Sequence, residues 1–225
     1  MLRGAIFDFD GVLVDSERAH FEALRVTLEE GAGFSISLDE YAENYLAYDD
    51  HGCIRRALER HGKASNPEVL NDLATTKERA FAELLPDLAL LPGAKALVLA
   101  LHAARVPLAV ASSALRIEVE SVLRGHDLLP LFRGVVAAED VGNLKPHPEP
   151  YLRGRTLVDA ADSPRGVVAF EDSVPGIASA RAAGLRVVGV TTSHPREKLA
   201  LAHLVVDSLS ELSVEDVTGV ASAAS

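Results

Sequence analysis

The chain has 225 residues, of which 48% are hydrophobic and 24% charged, a composition typical of a folded protein and not of a disordered one. Its 22 basic and 33 acidic residues give a net charge of -11, which argues against nucleic acid or an anionic membrane surface as the main partner. Cys53 is the only cysteine, so no intramolecular disulfide forms, and no apolar run approaches the roughly 20 residues that span a bilayer. Because the first apolar run soon meets Asp8, no secretion signal is predicted, and a cytoplasmic location is expected.

The first predicted element is a strand over residues 2–7, an apolar run without the polar alternation of a half-exposed strand. The next such run begins only at residue 107, although a parallel strand–helix–strand unit takes roughly 30 residues. The interval has helical patterns of its own, in which two sets of apolar side chains each share one helix face: Phe21, Leu24 and Leu28, and then Leu70, Leu73, Phe81 and Leu84. We therefore predict a helical-bundle domain at residues 16–86, inserted into a core made of residues 1–15 and 87–225.

The remainder of the chain alternates between predicted helices and buried strands. The strands fall at residues 107–111, 134–138, 166–170, 186–190 and 204–206, and the helices at residues 94–105, 115–124, 149–160 and 174–183. This alternation predicts an α/β fold with a Rossmann-like parallel sheet. Ser208 and Glu211 have the spacing of a capping box and predict a short final helix, while residues 221–225 are expected to form a loose tail.

The strongest chemical signal follows the first strand, where Asp8 and Asp10 are separated by one residue. Ligands of open α/β sheets bind at the carboxyl ends of the strands. Two neighbouring carboxylates attract a hard cation, and different surroundings can leave one anionic and the other protonated. Gly11 allows a sharp turn and a close approach to a ligand. The alternative is an acidic loop that only caps a helix.

Other predicted strands end in groups that complement these carboxylates. Ser112 and Ser113 precede a helix and suit a phosphate group, although a serine that caps the helix is the alternative. Lys145 is followed by a proline that stiffens its loop, and its charge would offset that of carboxylates and phosphate. Asp172 suits a divalent cation, and Glu171 is a weaker candidate, although Asp172 or Ser173 as a cap of the next helix is the alternative.

Together these residues resemble the four motifs of the haloacid dehalogenase superfamily. The motifs match, in order, Asp8 with Asp10, Ser112, Lys145, and Glu171 with Asp172. The resemblance covers nearly the whole chain and is closest to members of the β-phosphoglucomutase and phosphoglycolate phosphatase types. It identifies the helical insert as a cap domain, and the second aspartate of the first motif favours phosphate chemistry over dehalogenation.

The resemblance implies a role for each matched residue. Asp8 would attack phosphorus and form an aspartyl-phosphate, while Asp10 would protonate the leaving alcohol and then activate water. Ser112 and Lys145 would hold the phosphate. Mg²⁺ would be bound by the Asp8 carboxylate, the main-chain carbonyl of Asp10 and Asp172.

The insert is expected to select the substrate. Lys77 lies on the apolar side of its helix and is expected to point at a ligand cavity, with a side chain that reaches the surface as the alternative. His20 is expected to contact the substrate or Asp10, with a half-exposed helix histidine as the alternative. The specificity loop is expected at residues Tyr48, Asp49, Asp50 and His51. Asp50 stands where a β-phosphoglucomutase would carry its phosphate-binding arginine, which favours hydrolysis over a mutase reaction unless Arg55 or Arg56 compensates.

Two functional hypotheses from other classes of protein are less well supported than a phosphatase. A phosphorelay receiver carries its phosphorylated aspartate on a later strand and has no long insert after the first. A non-catalytic phosphate-binding protein on the same fold is not favoured, because all four motifs are complete. The chain has no Gly-x-Gly-x-x-Gly or Gly-x-Ser-x-Gly motif. The expected partner is thus a small phosphorylated metabolite, and because no sequence feature demands an oligomer, a monomer is expected.

Overall fold

A computed structural model describes residues 1–45, 48, 50–160 and 162–223 of the chain. They form two compact units, one of Met1–Asp15 with Ala89–Ser225 and the other of Ser16–Leu88. We call the first the α/β unit and the second the helical unit. The helical unit begins at the predicted residue, and the α/β unit resumes two residues later than the predicted 87.

The α/β unit is built on a sheet of parallel strands. In chain order the strands are β1 (Gly4–Phe7), β2 (Leu108–Ala111), β3 (Val135–Val136), β4 (Val167–Glu171), β5 (Arg186–Val190) and β6 (Leu204–Val206). Within the described part of the chain the strand order is β3-β2-β1-β4-β5-β6, and every neighbouring pair is parallel. This confirms the predicted α/β fold class. Because β1 lies between β2 and β4, the carboxyl ends of these three strands are adjacent.

Several predicted strands were too long at their first residues. Pro107 has no N–H to donate to a sheet and precedes β2. Gly166 adopts a left-handed backbone with φ of 81° and accepts hydrogen bonds from Arg3 and Gly4, so it forms a turn before β4. In the opposite direction, β4 extends one residue beyond the prediction and includes Glu171.

The helical unit contains α1 (Glu17–Ala32), α2 (Leu38–Asn44), α3 (Asp50–Arg60) and α4 (Pro67–Leu84). The side chains of Ser37 and Asn66 accept hydrogen bonds from backbone N–H groups at the starts of α2 and α4, so both helices begin at good capping residues. The unit has its own apolar core, whose largest fully buried side chains are Tyr45, Leu24, Leu28, Ile54 and Leu58. Cys53 is buried in this core, where its thiol contacts the Tyr45 carbonyl at 3.2 Å.

Helices of the α/β unit cover the sheet. They are α5 (Ala94–Ala103), α6 (Arg116–Gly125), α7 (Glu149–Leu157), α8 (Val174–Ala182) and α9 (Val214–Ser222). Two predicted ends were too late, because Arg105 and Asp159 adopt left-handed backbone conformations that terminate α5 and α7. A buried cluster under α7 and α8 includes Ile6, Tyr151 and Ile177. No helix in the described ranges has both the length and the apolar character needed to cross a membrane.

The prediction for the C-terminal segment was wrong in two respects. The capping box at Ser208 starts only a short 3₁₀ turn, Leu209–Glu211. The final α-helix begins after Ser213, whose side chain accepts a hydrogen bond from the backbone of Asp216, and it continues to Ser222. The predicted loose tail therefore starts inside a helix, and its last two residues lie outside the described ranges. Ser213 and Asp216 have the same spacing, with aspartate in place of the glutamate or glutamine that is usual in a capping box.

Candidate active site

The carboxyl ends of β1, β2 and β4 bring the predicted residues of the α/β unit together. Phe7 in β1 is paired with Val110 in β2 and with Phe170 in β4, so the residues that follow these strands share one edge of the sheet. Asp8 continues the ladder, since its N–H donates to the Phe170 carbonyl at 2.9 Å. Asp8 and Ser112 are buried, at 8% and 1% exposure.

Lys145 joins the first and fourth motifs. Its Nζ lies 2.7 Å from Asp8 Oδ1 and 2.7 Å from Glu171 Oε1. The Lys145 side chain is 6% exposed and that of Glu171 is fully buried. A buried cation between two carboxylates stabilises both, and loss of the cation would leave two negative charges close together in a site with little water.

Glu171 is bound on both of its oxygens by neighbouring donors. Tyr151, also fully buried, donates its hydroxyl to Glu171 Oε1 at 2.7 Å, and Ser173 donates its hydroxyl to Oε2 at 3.0 Å. With Lys145 on Oε1 as well, Glu171 is held in one orientation. This arrangement makes Glu171 a partner that orients Lys145, and it leaves less capacity for a cation than the sequence suggested.

The charged groups of the site shift one another's pKa values. Burial and the nearby Glu171 carboxylate raise the pKa of Asp8 well above its ordinary value, although Lys145 opposes this effect. Burial disfavours the charged form of Lys145, but Asp8 and Glu171 outweigh it and raise the pKa of the ammonium group. Burial and Glu171 raise the pKa of Asp172 to about 6. Three carboxyl groups share the single ammonium group of Lys145, so their full ionisation would leave negative charge that Lys145 does not neutralise.

Asp8, Glu171 and Asp172 form a group with the chemistry of a divalent-cation site. Each offers an oxygen, and these oxygens all lie within 4.8 Å of one another. Oxygen-only donors with excess negative charge suit Mg²⁺, which is a hard cation. Because both oxygens of Glu171 already accept hydrogen bonds, Asp8 and Asp172 are the better-placed carboxylate ligands.

A tight turn follows Asp8. The Gly11 N–H donates to the Val14 carbonyl at 2.8 Å, and Gly11 has a φ of 71°. Asp10, which is partly buried, forms a bridge with Val14 at the same turn. A side chain at Gly11 would meet Asp172, since a Cβ atom there would lie 1.8 Å from Asp172 Oδ2. Glycine at this position therefore makes room for the Asp172 carboxylate.

The two serines after β2 differ in their surroundings. Ser112 Oγ accepts a hydrogen bond from the Ala114 N–H at 2.9 Å, and Ser113 is exposed. Neither serine caps α6, because the N-cap residue of this helix is Leu115. The Leu115 N–H donates to the Glu118 side chain at 2.9 Å. The alternative of a capping serine was therefore wrong, and the predicted phosphate contacts of Ser112 and Ser113 stay predictions.

Within the helical unit, Lys77 lies inside and not at the surface. Its side chain is 3% exposed, forms an ion pair with Asp50, and lies 3.0 Å from His20 Nδ1. These residues line a pocket of about 140 Å³, together with Tyr48, Cys53, Leu24 and the hydrogen-bonded pair of Tyr41 and Glu17. The alternative of a Lys77 side chain that reaches the surface was therefore wrong. Asp49, from the expected specificity loop, lies outside the described residues, and His51 is exposed.

His20 stacks on Phe81, with ring centroids 4.1 Å apart, and its pKa is lowered to about 4 by burial and by the nearby Lys77. The unfolded chain binds a proton at His20 near pH 6.5, whereas the folded chain does not, so acid favours unfolding. Between pH 7 and pH 5 we expect wild type to lose about 2 kcal/mol of unfolding free energy relative to His20→Gln. Urea unfolding at both pH values measures this difference.

The exposed His102 supplies the matched control for that measurement. His102→Gln should follow the wild-type pH dependence throughout. If the unfolding free energies of His20→Gln and wild type changed equally between pH 7 and pH 5, the lowered pKa of His20 would be contradicted.

Two residues of this site were missed by sequence reasoning. Tyr151 contacts Glu171 from α7, and nothing in the local sequence marks it. Ser193 donates its hydroxyl to Asp172 Oδ2 from the loop that follows β5. The rule that polar groups at strand ends form the site would have found Ser193, because β5 was predicted correctly.

Comparisons with known proteins agree with the fold. The model of the family described as haloacid dehalogenase-like hydrolase matches residues 5–190. Validoxylamine A 7'-phosphate phosphatase of Streptomyces hygroscopicus subsp. limoneus is 31% identical over 215 residues, which cover 94% of this chain and 96% of that protein. The phosphorylated carbohydrates phosphatase of Thermotoga maritima is 32% identical over 194 residues, 85% of this chain and 87% of that protein.

Among solved structures, CbbY from Rhodobacter sphaeroides in complex with phosphate is similar, with a TM-score of 0.75 and 29% identity. The match covers 95% of this chain and 97% of that structure. The fold and the site thus define a hydrolase of the α/β class with an inserted helical unit. The chain belongs to the haloacid dehalogenase-like hydrolase family. This confirms the resemblance and the predicted enzyme class, a phosphoric monoester hydrolase.

Proposed function

We propose that the protein is a Mg²⁺-dependent phosphatase that hydrolyses small phosphomonoesters, of the sugar phosphate or phosphoglycolate type, through an aspartyl-phosphate on Asp8. The observation that supports this most is the buried cluster in which Lys145 lies 2.7 Å from both Asp8 and Glu171. Asp172 adds a further carboxylate within 4.8 Å. Such a cluster suits a nucleophile, a transferring phosphoryl group and a cation.

In the first proposed step, an Asp8 oxygen forms a bond to phosphorus while the bond from phosphorus to the ester oxygen breaks. Asp10 donates its proton to that oxygen, which leaves as an alcohol. Lys145 holds Asp8 in place and offsets the charge of the phosphoryl oxygens. Ser112 would donate to one of those oxygens.

In the second proposed step, Asp10 removes a proton from a water molecule, which attacks phosphorus and releases Asp8. Inorganic phosphate and the alcohol are then the only products. Bound Mg²⁺, with Asp8, Asp172 and the Asp10 carbonyl as ligands, would neutralise charge on the phosphoryl group. Glu171, held by Tyr151 and Ser173, keeps Lys145 directed at Asp8 throughout.

We further propose that the helical unit is a cap domain that selects the substrate, with His20 and Lys77 as substrate-binding residues. The ion pair between Lys77 and Asp50 favours hydrolysis over the mutase alternative. A mutase must hold a second phosphate, and here the Lys77 charge is already neutralised by Asp50. The two arginines that could compensate, Arg55 and Arg56, are exposed and are not among the residues that line this pocket. The Arg56 guanidinium lies 5.2 Å from the ring of Tyr48.

A panel of small phosphomonoesters tests the proposal. We expect phosphate release from at least one ester with Mg²⁺ present, and none when a chelator removes the ion. A sugar bisphosphate in the same panel should yield net phosphate release and no isomerised sugar phosphate. Colorimetric phosphate determination, with chromatography of the sugar products, measures both outcomes.

Two results would count against the proposal. Conversion of β-glucose 1-phosphate to glucose 6-phosphate without phosphate release would favour the mutase. Absence of turnover with any ester, together with Mg²⁺-dependent binding of phosphate, would instead favour a non-catalytic phosphate-binding protein.

A further inference from the structure

The loop after β5 reaches the proposed cation site. β5 lies beside β4, with Glu171 paired to Gly189, so residues that follow the two strands emerge at the same edge of the sheet. Ser193 lies three residues beyond the end of β5, and its hydroxyl donates a hydrogen bond to Asp172 Oδ2. The loop therefore contacts the carboxylate of Asp172 through Ser193, a residue that belongs to none of the four motifs.

Gly11 encloses the same carboxylate from the turn that follows β1. A Cβ atom on Gly11 would lie 1.8 Å from Asp172 Oδ2 and 3.0 Å from Ser193 Oγ. Asp172 itself is 5% exposed. Its carboxylate is thus held by a hydroxyl donor and packed against a glycine, which restricts its rotation before any cation binds.

We propose that Ser193 is a positioning residue that orients the Asp172 carboxylate for Mg²⁺ and so sets the affinity of the protein for the ion. The inference rests on the proposed function, because it takes Asp172 as a ligand of that ion. A ligand that is already oriented loses less conformational freedom on binding, and removal of such supporting groups typically weakens metal binding by about 10–100-fold.

Calorimetric titration of Mg²⁺ into the substrate-free protein tests this role. We expect Ser193→Ala to raise the dissociation constant about 10-fold. Ser193→Thr retains the hydroxyl and should restore affinity to near the wild-type value. The Mg²⁺ concentration that gives half-maximal phosphate release by Ser193→Ala should rise by a similar factor, since a weaker site needs more of the ion to fill it.

Thr192→Ala is the matched control, because Thr192 and Ser193 are neighbours in the same exposed loop and, among the described hydrogen bonds, Ser193 makes the contact with Asp172. Its affinity for Mg²⁺ should equal that of wild type. If Ser193→Ala fails to fold, Ser193→Cys preserves the side-chain volume with a weaker donor and should also bind Mg²⁺ less tightly.

Asp172→Asn distinguishes failure of the proposed Ser193 role from failure of Asp172 as a Mg²⁺ ligand. If Asp172→Asn abolishes Mg²⁺ binding while Ser193→Ala leaves it unchanged, the role of Ser193 is refuted and the proposed function stands. If Asp172→Asn binds Mg²⁺ as wild type does, the ligand assignment fails, and the role of Ser193 fails with it.

Discussion

Replacement of Asp8 by Asn is expected to abolish Mg²⁺-dependent phosphate release without unfolding the protein. An amide cannot attack phosphorus as the carboxylate does, so the rate should fall at least about 1,000-fold. The burial and the Glu171 repulsion that raise the pKa of Asp8 also disfavour its charged form in the folded state. Asn removes this charge and can still accept the Phe9 N–H, which lies 2.7 Å from Asp8 Oδ1. The thermal midpoint should therefore equal or exceed that of wild type.

Phosphate release and thermal unfolding of the same preparations measure the two effects. Asp87→Asn is the matched control, because Asp87 is exposed and lies outside the proposed site. It should retain wild-type activity. If Asp8→Asn retained more than a small fraction of the Mg²⁺-dependent activity, Asp8 would not be the nucleophile.

Replacement of Lys145 by Met is expected to damage both stability and catalysis. Asp8 and Glu171 would lose the cation between them, and removal of one partner from a buried ion pair costs about 3–5 kcal/mol. Loss of a positive group that stabilises transferring charge should reduce kcat about 100-fold or more. Urea unfolding and phosphate release at pH 7 measure these effects, with the exposed Lys198→Met as the control.

A double variant separates the two roles of Lys145. In Lys145→Met/Glu171→Gln the second carboxylate is neutral, yet its side chain can still accept the Tyr151 hydroxyl. Unfolding free energy should recover in part, whereas activity should not. Equal stability of the single and double variants would show that Glu171 is not the group left unpaired by loss of Lys145.

The sequence predicted the fold through the position of buried strands. Runs of apolar residues that stop at polar groups identified all of β1 to β6, because strands covered on both faces tolerate few polar side chains. Element ends were predicted less well. Arg105 ends α5 in a left-handed conformation that an arginine rarely adopts, and Asp159 ends α7 in the same conformation, which aspartate adopts only occasionally.

For the site, the sequence found residues at or after the carboxyl ends of β1 to β4, and the structure brings Asp8, Lys145, Glu171 and Asp172 together. It did not predict the contacts that depend on packing between distant elements. Tyr151 reaches Glu171 from a helix 20 residues earlier in the chain, and Lys77 meets Asp50 across 27 residues. Such pairings follow from how helices pack, which local sequence patterns do not specify.

The points at which the chain leaves and re-enters the α/β unit are joined to each other. Val14 and Leu90 form an antiparallel bridge, and the Leu91 N–H donates to the Leu13 carbonyl at 2.9 Å. The insertion point is therefore a short two-stranded stem whose arms are already side by side. A segment attached through such a stem can be shortened, exchanged or duplicated by recombination while every strand of the sheet keeps its neighbours. If the helical unit selects the substrate, as proposed above, its replacement at this stem would change the substrate preference and leave the sheet intact.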